Sequence, residues 1–574
     1  MKIKPSKKNL LIAIGTIASV AVTVAALNVK KLKKEDKKYI NATNGKDYGD
    51  RQVYLIGGGI ASLSAAAYLI RDCNFKGENI HIIEVASDIG GSNDAAGDAV
   101  NGYIYRGGRM LNEETYENFW ELFSSIPSLE MPNKSVTEEI LNFDHLHPTH
   151  AQGRLIDKHG VIQDINSMGF TKEDRMALGK LLFVAEEQLD DMTIEEWFDD
   201  TPHFFETNFW YIWQTTFAFQ KWSSLIEFKR YMQRMIFEFS RIGTLEGVTH
   251  TPYNQYESVI LPLKSYLDRH DVNFIMNTKV KDLDFKPGEE ITVTDIYLED
   301  SSGDRVITLN SGDLCIMTNG SMTDSSSLGN MTTAPEYNPN NSMSADLWFK
   351  VAKKKIGLGN PEPFFTHPDE TNWESFTVTC RGNKVLKLIE KFTGNTPGSG
   401  GIITFKDSNW LMSITIPHQP YFKKQPSDIT VFWGYGLYTD KVGNFIKKPM
   451  KECTGEEILL EVMHHLHLES EISEIKETIV NVIPCMMPYI GAQFQPHRIS
   501  DRPKIVPEGS TNFALISQFV EIPEDMVFTE EYSIRAARIA IYTLFNIKEK
   551  EICKVTSYKN SPKVLKNALM TTYK

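Results

Sequence analysis

Cysteine is scarce. Six thiols (Cys73, Cys315, Cys380, Cys453, Cys485 and Cys553) are scattered over 574 residues, with no Cys-x-x-Cys pair and no metal-like spacing to histidine. That excludes a disulfide framework and the common zinc motifs, and dispersed single thiols fit a reducing compartment. Internal repeats and low-complexity tracts are missing too. So is any surplus of positive charge: 61 Lys and Arg stand against 74 Asp and Glu, a net charge of −13. Nucleic acid is therefore a poor main partner, although local charges still allow a small anionic substrate. What is present is ordinary globular material, 41% hydrophobic and 24% charged, which excludes a disordered tail, a collagen-like fibre and a polytopic membrane protein. Nine Trp, 22 Tyr and 31 Phe suffice for a large apolar interior or an apolar ligand cavity. The length exceeds the roughly 250–300 residues at which one core stops growing, so two or more domains are expected.

The charge is unevenly spread. Residues 1–38 hold ten Lys against Glu35 and Asp36, a local balance of +8 that leaves −21 on the rest. Between the lysines lies Leu10 to Leu27, 18 residues without a charge. As a helix it spans about 27 Å at 1.5 Å per residue, just short of a ~30 Å hydrocarbon core. The expectation is a retained N-terminal membrane anchor over residues 1–38, with a cleavable signal peptide as the competing reading. The larger positive flank is C-terminal, so the positive-inside rule puts the body in the cytoplasm. Residues 39–50 form a polar linker.

Gln52-Val-Tyr-Leu-Ile-Gly57 is an apolar run ending in glycine, expected to be a buried parallel strand. Gly57-Gly58-Gly59-Ile-Ala-Ser62 follows, then an alanine-rich helix to Arg71 and a second strand, Asn79 to Glu84. This is the βαβ dinucleotide layout. Gly57 permits the tight turn, Gly59 lets a pyrophosphate approach the backbone, and Ser62, in place of a third glycine, is small enough for helix–strand packing. Glu84 is placed to accept hydrogen bonds from ribose hydroxyls. The glycine pair of Ile89-Gly90-Gly91-Ser92 brings a second backbone stretch near the phosphates, a pattern of FAD proteins more than of NAD dehydrogenases. Arg106-Gly107-Gly108-Arg109 adds another such pair flanked by guanidinium groups. The competing reading of that pair is a tight turn with solvated arginines.

Helical patterns are expected over Glu113 to Phe123, Lys172 to Leu189, Ile194 to Phe198 and within the aromatic stretch Phe204 to Phe239. Strands are expected at Val272 to Met276, Val280 to Phe285, Ile291 to Leu298 and Leu314 to Gly320. Residues 345–500 alternate strands and turns. Phe528 to Phe545 begins Thr-Glu-Glu and turns amphipathic, the pattern of a capped helix.

Several stretches then carry a family resemblance. Ser62 to Asp72, Ile89 to Ser92, Arg106 to Arg109, Ser125 to Glu130, Phe217 to Trp222, Tyr253 to Tyr256, Thr318 to Ser321, Gly400 to Thr404, Asp407 to Trp410, Cys453 to Glu456, Met487 to Tyr489, Asp501 to Lys504 and Phe528 to Arg535 resemble the oleate hydratases, or myosin-cross-reactive antigens. The resemblance reaches about residue 550. It implies an α/β fold: a Rossmann-type, glutathione-reductase-like FAD lobe (51–130, 271–345 and 501–574), a helical lid lobe (131–270) and a mixed-sheet substrate lobe (346–500). It also implies FAD-dependent, non-redox addition of water across the cis-9 double bond of unsaturated fatty acids, with no metal. Gly57, Gly59, Ser62, Glu84, Gly91, Ser92, Arg106, Gly107, Gly108, Arg109, Met110, Val280, Asn319, Ser321 and Phe519 are the implied cofactor residues.

The implied proton donor is Tyr231. By itself a tyrosine in such an aromatic helix is more often a packed core residue; the register of the surrounding motif assigns it. The family's usual water-activating glutamate directly follows the Arg-Gly-Gly-Arg run, where this chain has Met110, a form that occurs among family members. Glu113 and Glu114 are the nearest acids able to replace it, or they are ordinary acidic residues of a helix's first turn. The implied carboxylate cluster is Gln255, Thr415, His418 and Tyr421, with Pro417 and Tyr421 standing where well-known members carry an amide and an imidazole. The family's additional C-terminal helical segment has no counterpart here, which suggests a monomer or weak oligomer near a lipid surface. Two other readings stay open: a flavin-dependent fatty acid isomerase or oxidoreductase, and a catalytically silent fatty-acid-binding flavoprotein.

Overall fold

The computed structural model describes residues 48–340, 342–547, 554–557 and 561–573. Five short strands form a parallel sheet: β1 (Val53–Ile56), β2 (Ile80–Ile83), β3 (Asn273–Ile275), β4 (Leu314–Thr318) and β5 (Phe513–Ile516). Their order is β5-β4-β1-β2-β3, with Val53 opposite both Leu314 and Ile80. The central strands are near-continuous apolar runs because helices cover both faces. The helices that matter below are α1 (Ile60–Cys73), α2 (Glu117–Phe123), α3 (Asn208–Phe217), α4 (Leu225–Arg234) and α5 (Glu530–Leu544). α5 packs on α1, where Tyr542 donates to Asp72 at 2.9 Å.

A second sheet has seven strands, all antiparallel except that Leu155–Ile156 runs parallel to Ile402–Phe405. Its long strand Trp373–Arg381 is buried from Trp373 to Cys380. One face carries Phe376, Val378 and Cys380 into a separate core. The other meets the strand Gly102–Tyr105, whose Tyr103 amide donates to Thr379 Oγ1 at 2.9 Å. The strand runs straight into Arg106-Gly-Gly-Arg109, so the seven-stranded sheet fixes that loop. The architecture is the α/β fold with a mixed second sheet that the sequence suggests.

Local patterns differ from expectation in three places. The helix expected from Glu113 begins at Glu117, because Asn112 Oδ1 accepts from the amides of Glu114 (3.1 Å) and Thr115 (3.0 Å) and holds them in a turn. The helix expected to reach Leu189 ends at Leu181. The aromatic stretch breaks at Ala218, which takes a left-handed φ of 61°, so α3 and α4 are separate helices.

The expected membrane-anchored localisation is corrected. Among the described residues no helix is long and apolar enough to cross a membrane, and Leu10 to Leu27, on which the anchor rested, lies outside the described residues. The transmembrane assignment is therefore withdrawn.

Candidate active site

A cavity of about 550 Å³ runs from the ends of the parallel strands to the aromatic helices. At one end are Gly57, Gly59, Glu84, Gly91 and Ser92; at the other are Met110, Trp213, Tyr231 and Met235. The glycines are there for physical reasons. Gly57 has φ +102° and a Cβ there would sit 3.0 Å from Thr318 Oγ1, whereas a Cβ at Gly59 would meet nothing within 4 Å. The open face of Gly59, at the N-terminus of α1, is what a phosphate group requires. Glu84 lines the cavity, but its carboxylate is already bonded by the amides of Gly58 (2.5 Å) and Ala86 (2.8 Å), an intraloop role that its position at a strand end did not reveal.

Of the other expected cofactor residues, Arg106, Gly108, Arg109, Met110, Val280, Ser321 and Phe519 line this cavity. Ser62, Gly107 and Asn319 do not. Ser62 is buried with its hydroxyl 3.5 Å from Thr318 Oγ1, and Asn319 is buried with Nδ2 donating to the Phe519 carbonyl at 3.3 Å. Arg106 is pinned by Asp94, while Arg109 donates to the Ser92 carbonyl at 2.9 Å and leaves Nε buried without a partner.

Tyr231 is 2% exposed and lines the cavity. Its ring sits 5.1 Å from that of Phe217 and 5.0 Å from that of Phe219, and its hydroxyl donates to the Val527 carbonyl at 2.6 Å. Burial drives the phenol well above its ordinary pKa, so it keeps its proton. The position of α4 is set by buried ion pairs. Arg234 reaches Glu117 (3.0 Å) and Asp525 (3.3 Å), and Arg535 reaches Asp525 (2.8 Å), Glu117 (2.6 Å) and Glu531 (2.8 Å). Glu531 also accepts from the amides of Asn118 and Phe119, the first free donors of α2, so one network ties α2, α4 and α5 together.

Glu113 is exposed and Glu114 pairs with Arg241 at 3.1 Å; neither lines the cavity. The turn held by Asn112 aims them elsewhere. What the sequence analysis did not single out is Glu530, first residue of α5. It is 7% exposed and faces the cavity, with one carboxyl oxygen held by Asn93 and the other buried without a partner. Two residues earlier, Phe528 is not the first helical residue its pattern suggests but holds a left-handed φ of 67°, stabilised by the amide's bond to Gln518 Oε1 at 2.5 Å.

A second cavity, about 100 Å³, shares Arg106, Gly108, Arg109, Met110, Thr216 and Phe528 with the first. Gly107, Thr415, His418 and Tyr421 line it, and so does His250. The structure therefore brings three of the four expected carboxylate ligands together. Gln255 lines neither cavity, although it is buried with both amide atoms unpartnered, and its neighbour Asn254 donates to the Tyr421 carbonyl at 3.0 Å. Burial, and then the nearby His147, lower the His418 pKa, and burial lowers that of His250 to about 4, so both imidazoles are neutral hydrogen-bonding groups at neutral pH.

Comparison with known proteins gives concordant results. The model of the MCRA family matches residues 50–542. A linoleate hydratase of Lactiplantibacillus plantarum is 37% identical over 551 residues, covering 90% of this chain and 97% of the relative. An oleate hydratase of Streptococcus pyogenes serotype M49 (strain NZ131) is 36% identical over 542 residues, covering 90% and 91%. Among solved structures, cyclohexylamine oxidase from Brevibacterium oxydans IH-35A superposes with a TM-score of 0.51 at 13% identity, over 88% of this chain and 100% of the oxidase. That likeness is one of fold.

Proposed function

Since this chain belongs to the MCRA family, we propose that it is a hydro-lyase adding water across the cis-9 double bond of unsaturated fatty acids, oleate and linoleate foremost, with FAD bound in the larger cavity. The observation that carries the reading is the joining of two cavities across one wall, a glycine-lined one that reaches a buried phenol and a smaller, mainly apolar one in which Thr415, His418 and Tyr421 present their polar groups.

The residues present suit FAD. Gly57 permits the turn and Gly59 leaves room for a pyrophosphate, the N-terminus of α1 favours its charge, and the unpartnered Arg109 Nε is a buried donor awaiting an acceptor. When bound, FAD supplies no net electrons to a hydration; it shapes the site and orders its loops.

The chain's own groups do the rest. Thr415, His418 and Tyr421 hold the substrate carboxylate in the smaller cavity. The acyl chain passes the shared wall to the aromatic ring cluster, where water is excluded and a developing carbocation meets ring faces. Tyr231 gives its proton to one alkene carbon, and water adds to the other. The high pKa that burial imposes keeps that proton available across the working range, at the cost of acid strength that the dry pocket must offset.

The test is incubation of the purified, FAD-loaded protein with oleate and with linoleate, followed by mass spectrometry. A product heavier by one water is expected. Unchanged mass with a moved double bond points to an isomerase, consumption of an electron acceptor to an oxidoreductase, and bound fatty acid without any product to a silent binding protein.

A further inference from the structure

Met110 leaves the proposed reaction without an obvious base, and the cavity itself supplies one. Six acids line it: Glu84, Asp88, Asp94, Glu238, Asp324 and Glu530. Five are committed. Glu84 is bonded by the amides of Gly58 and Ala86. Asp88 is bonded by the amide of Ile89 and the hydroxyl of Tyr256. Asp94 holds Arg106 with both oxygens, and Glu238 holds Asn112 and Arg241. Asp324 takes the hydroxyls of Ser342 and Ser344 and the Ser344 amide on one oxygen. Among the described residues, Glu530 is the lining acid with a buried carboxyl oxygen and nothing bonded to it.

Resting on the hydratase reading, we propose that Glu530 is the catalytic base of this chain, its free Oε2 holding the attacking water while Asn93 fixes Oε1. The placement is rigid. Glu530 opens the 15-residue α5, whose Thr529 cap accepts from the Tyr532 amide at 3.1 Å, and the next residue, Glu531, locks the helix to Arg535 and α2. Tyr231 is secured to the same segment, through Val527, on the other side of the cap. The base and the anchor of the acid's hydroxyl thus lie on one short stretch, 527–530, and not beside Met110.

The step balances without a further reactant. The π bond breaks, Tyr231 delivers a proton to one carbon, and the water oxygen bonds to the other. The proton that water sheds goes to Glu530. The carboxylic acid then returns a proton to the phenolate, restoring both groups and leaving a product one water heavier. The charged and titratable groups facing Glu530 are Arg109, Tyr116 and Tyr421. Burial, partly countered by Arg109 and the Asn93 bond, moves the carboxyl up to about 7, a value suited to a base at neutral pH.

The test uses the FAD-loaded protein and oleate, with rates taken between about pH 5 and 9. The wild type is expected to gain rate with pH through a limb near 7. Glu530→Gln should keep its melting temperature and its flavin absorbance, lose about 10²–10⁴-fold in kcat, and lose the limb. Adding Met110→Glu to that variant should recover at least about tenfold by putting a carboxylate back into the same cavity. A Glu530→Gln protein with the wild-type rate and limb overturns the assignment. So does one that loses flavin together with activity, because Glu530 would then be holding the cofactor. No hydrated product from the wild type would remove the hydratase reading itself, an outcome distinct from a defect confined to the variant.

Discussion

Replacing Tyr231 by phenylalanine separates chemistry from packing at the proposed acid. The ring is retained, so its edge contacts with Phe217 and Phe219, at 5.1 and 5.0 Å, survive. What is lost is the 2.6 Å bond to the Val527 carbonyl, which stays buried and unpaired. A buried acceptor left in that state costs about 1–3 kcal/mol, against about 3–5 kcal/mol for removing a whole aromatic side chain. Tyr231→Phe should therefore fold, bind flavin and melt only a few degrees below the wild type. Its effect on turnover should be much larger. Loss of a positioned general acid lowers the rate about 10²–10⁴-fold, or about 2.7–5.4 kcal/mol of barrier. The assay is hydroxy-acid formation at saturating oleate, with flavin occupancy checked by absorbance. Because burial keeps the phenol protonated, the wild-type rate should also show no alkaline fall from this group below about pH 10. A Phe variant with full turnover would end the assignment of Tyr231, whatever became of its stability.

Two further predictions concern stability and cofactor binding. Glu374 is fully buried in the long strand of the second sheet with both carboxyl oxygens unpartnered, and burial raises its pKa well above normal. Its folded form keeps a proton that the unfolded chain releases above about pH 4.3, so stability is full below that value and falls as pH rises toward the folded pKa. Glu374→Met should add about 1–3 kcal/mol and flatten that fall; a melting curve at pH 8 lower than the wild type's would contradict it. Gly59→Ala should leave the melting temperature of the flavin-free protein unchanged, since its methyl meets nothing within 4 Å, yet weaken FAD binding in a titration. Gly57→Ala, strained at φ +102° and 3.0 Å from Thr318, should lower both, and equal behaviour of the two variants would remove the pyrophosphate assignment.

How much of this was readable in the chain follows from distance along it. Strand, glycine turn and helix over 53–73 are neighbours in sequence, so apolar runs and glycine positions sufficed to place them. The aromatic helices were visible as composition, but not the break at Ala218, because a left-handed residue other than glycine or asparagine gives no local signal. Glu113 and Glu114 looked close to Met110, yet the Asn112 turn directs them away, a side-chain capture that periodicity does not encode. Glu530 is the converse case. It is bonded by Asn93 from 437 positions away, and only the assembled sheet brings the two together. The Thr-Glu-Glu start of α5 was legible as a cap; which of its two acids faces a cavity was not. The basic, apolar N-terminal run was legible only as composition: Leu10 to Leu27 lies outside the described residues, and among those residues no helix is long and apolar enough to cross a membrane.

The order β5-β4-β1-β2-β3 has a consequence for how this molecule is made. β1 and β2 emerge early in synthesis, but β4 follows β2 only after some 230 further residues, and β5 comes nearly 200 residues later still. At about 5–20 residues per second, a ribosome takes on the order of half a minute or more between exposing β1 and supplying the last strand. Until β3 and β4 emerge, β1 and β2 have unpaired outer edges, and from then on β4 waits for β5 and the sheet for its covering α5, states in which nascent chains pair wrongly with one another. Expression yield should accordingly respond to chaperone supply and growth temperature more than to any single surface substitution.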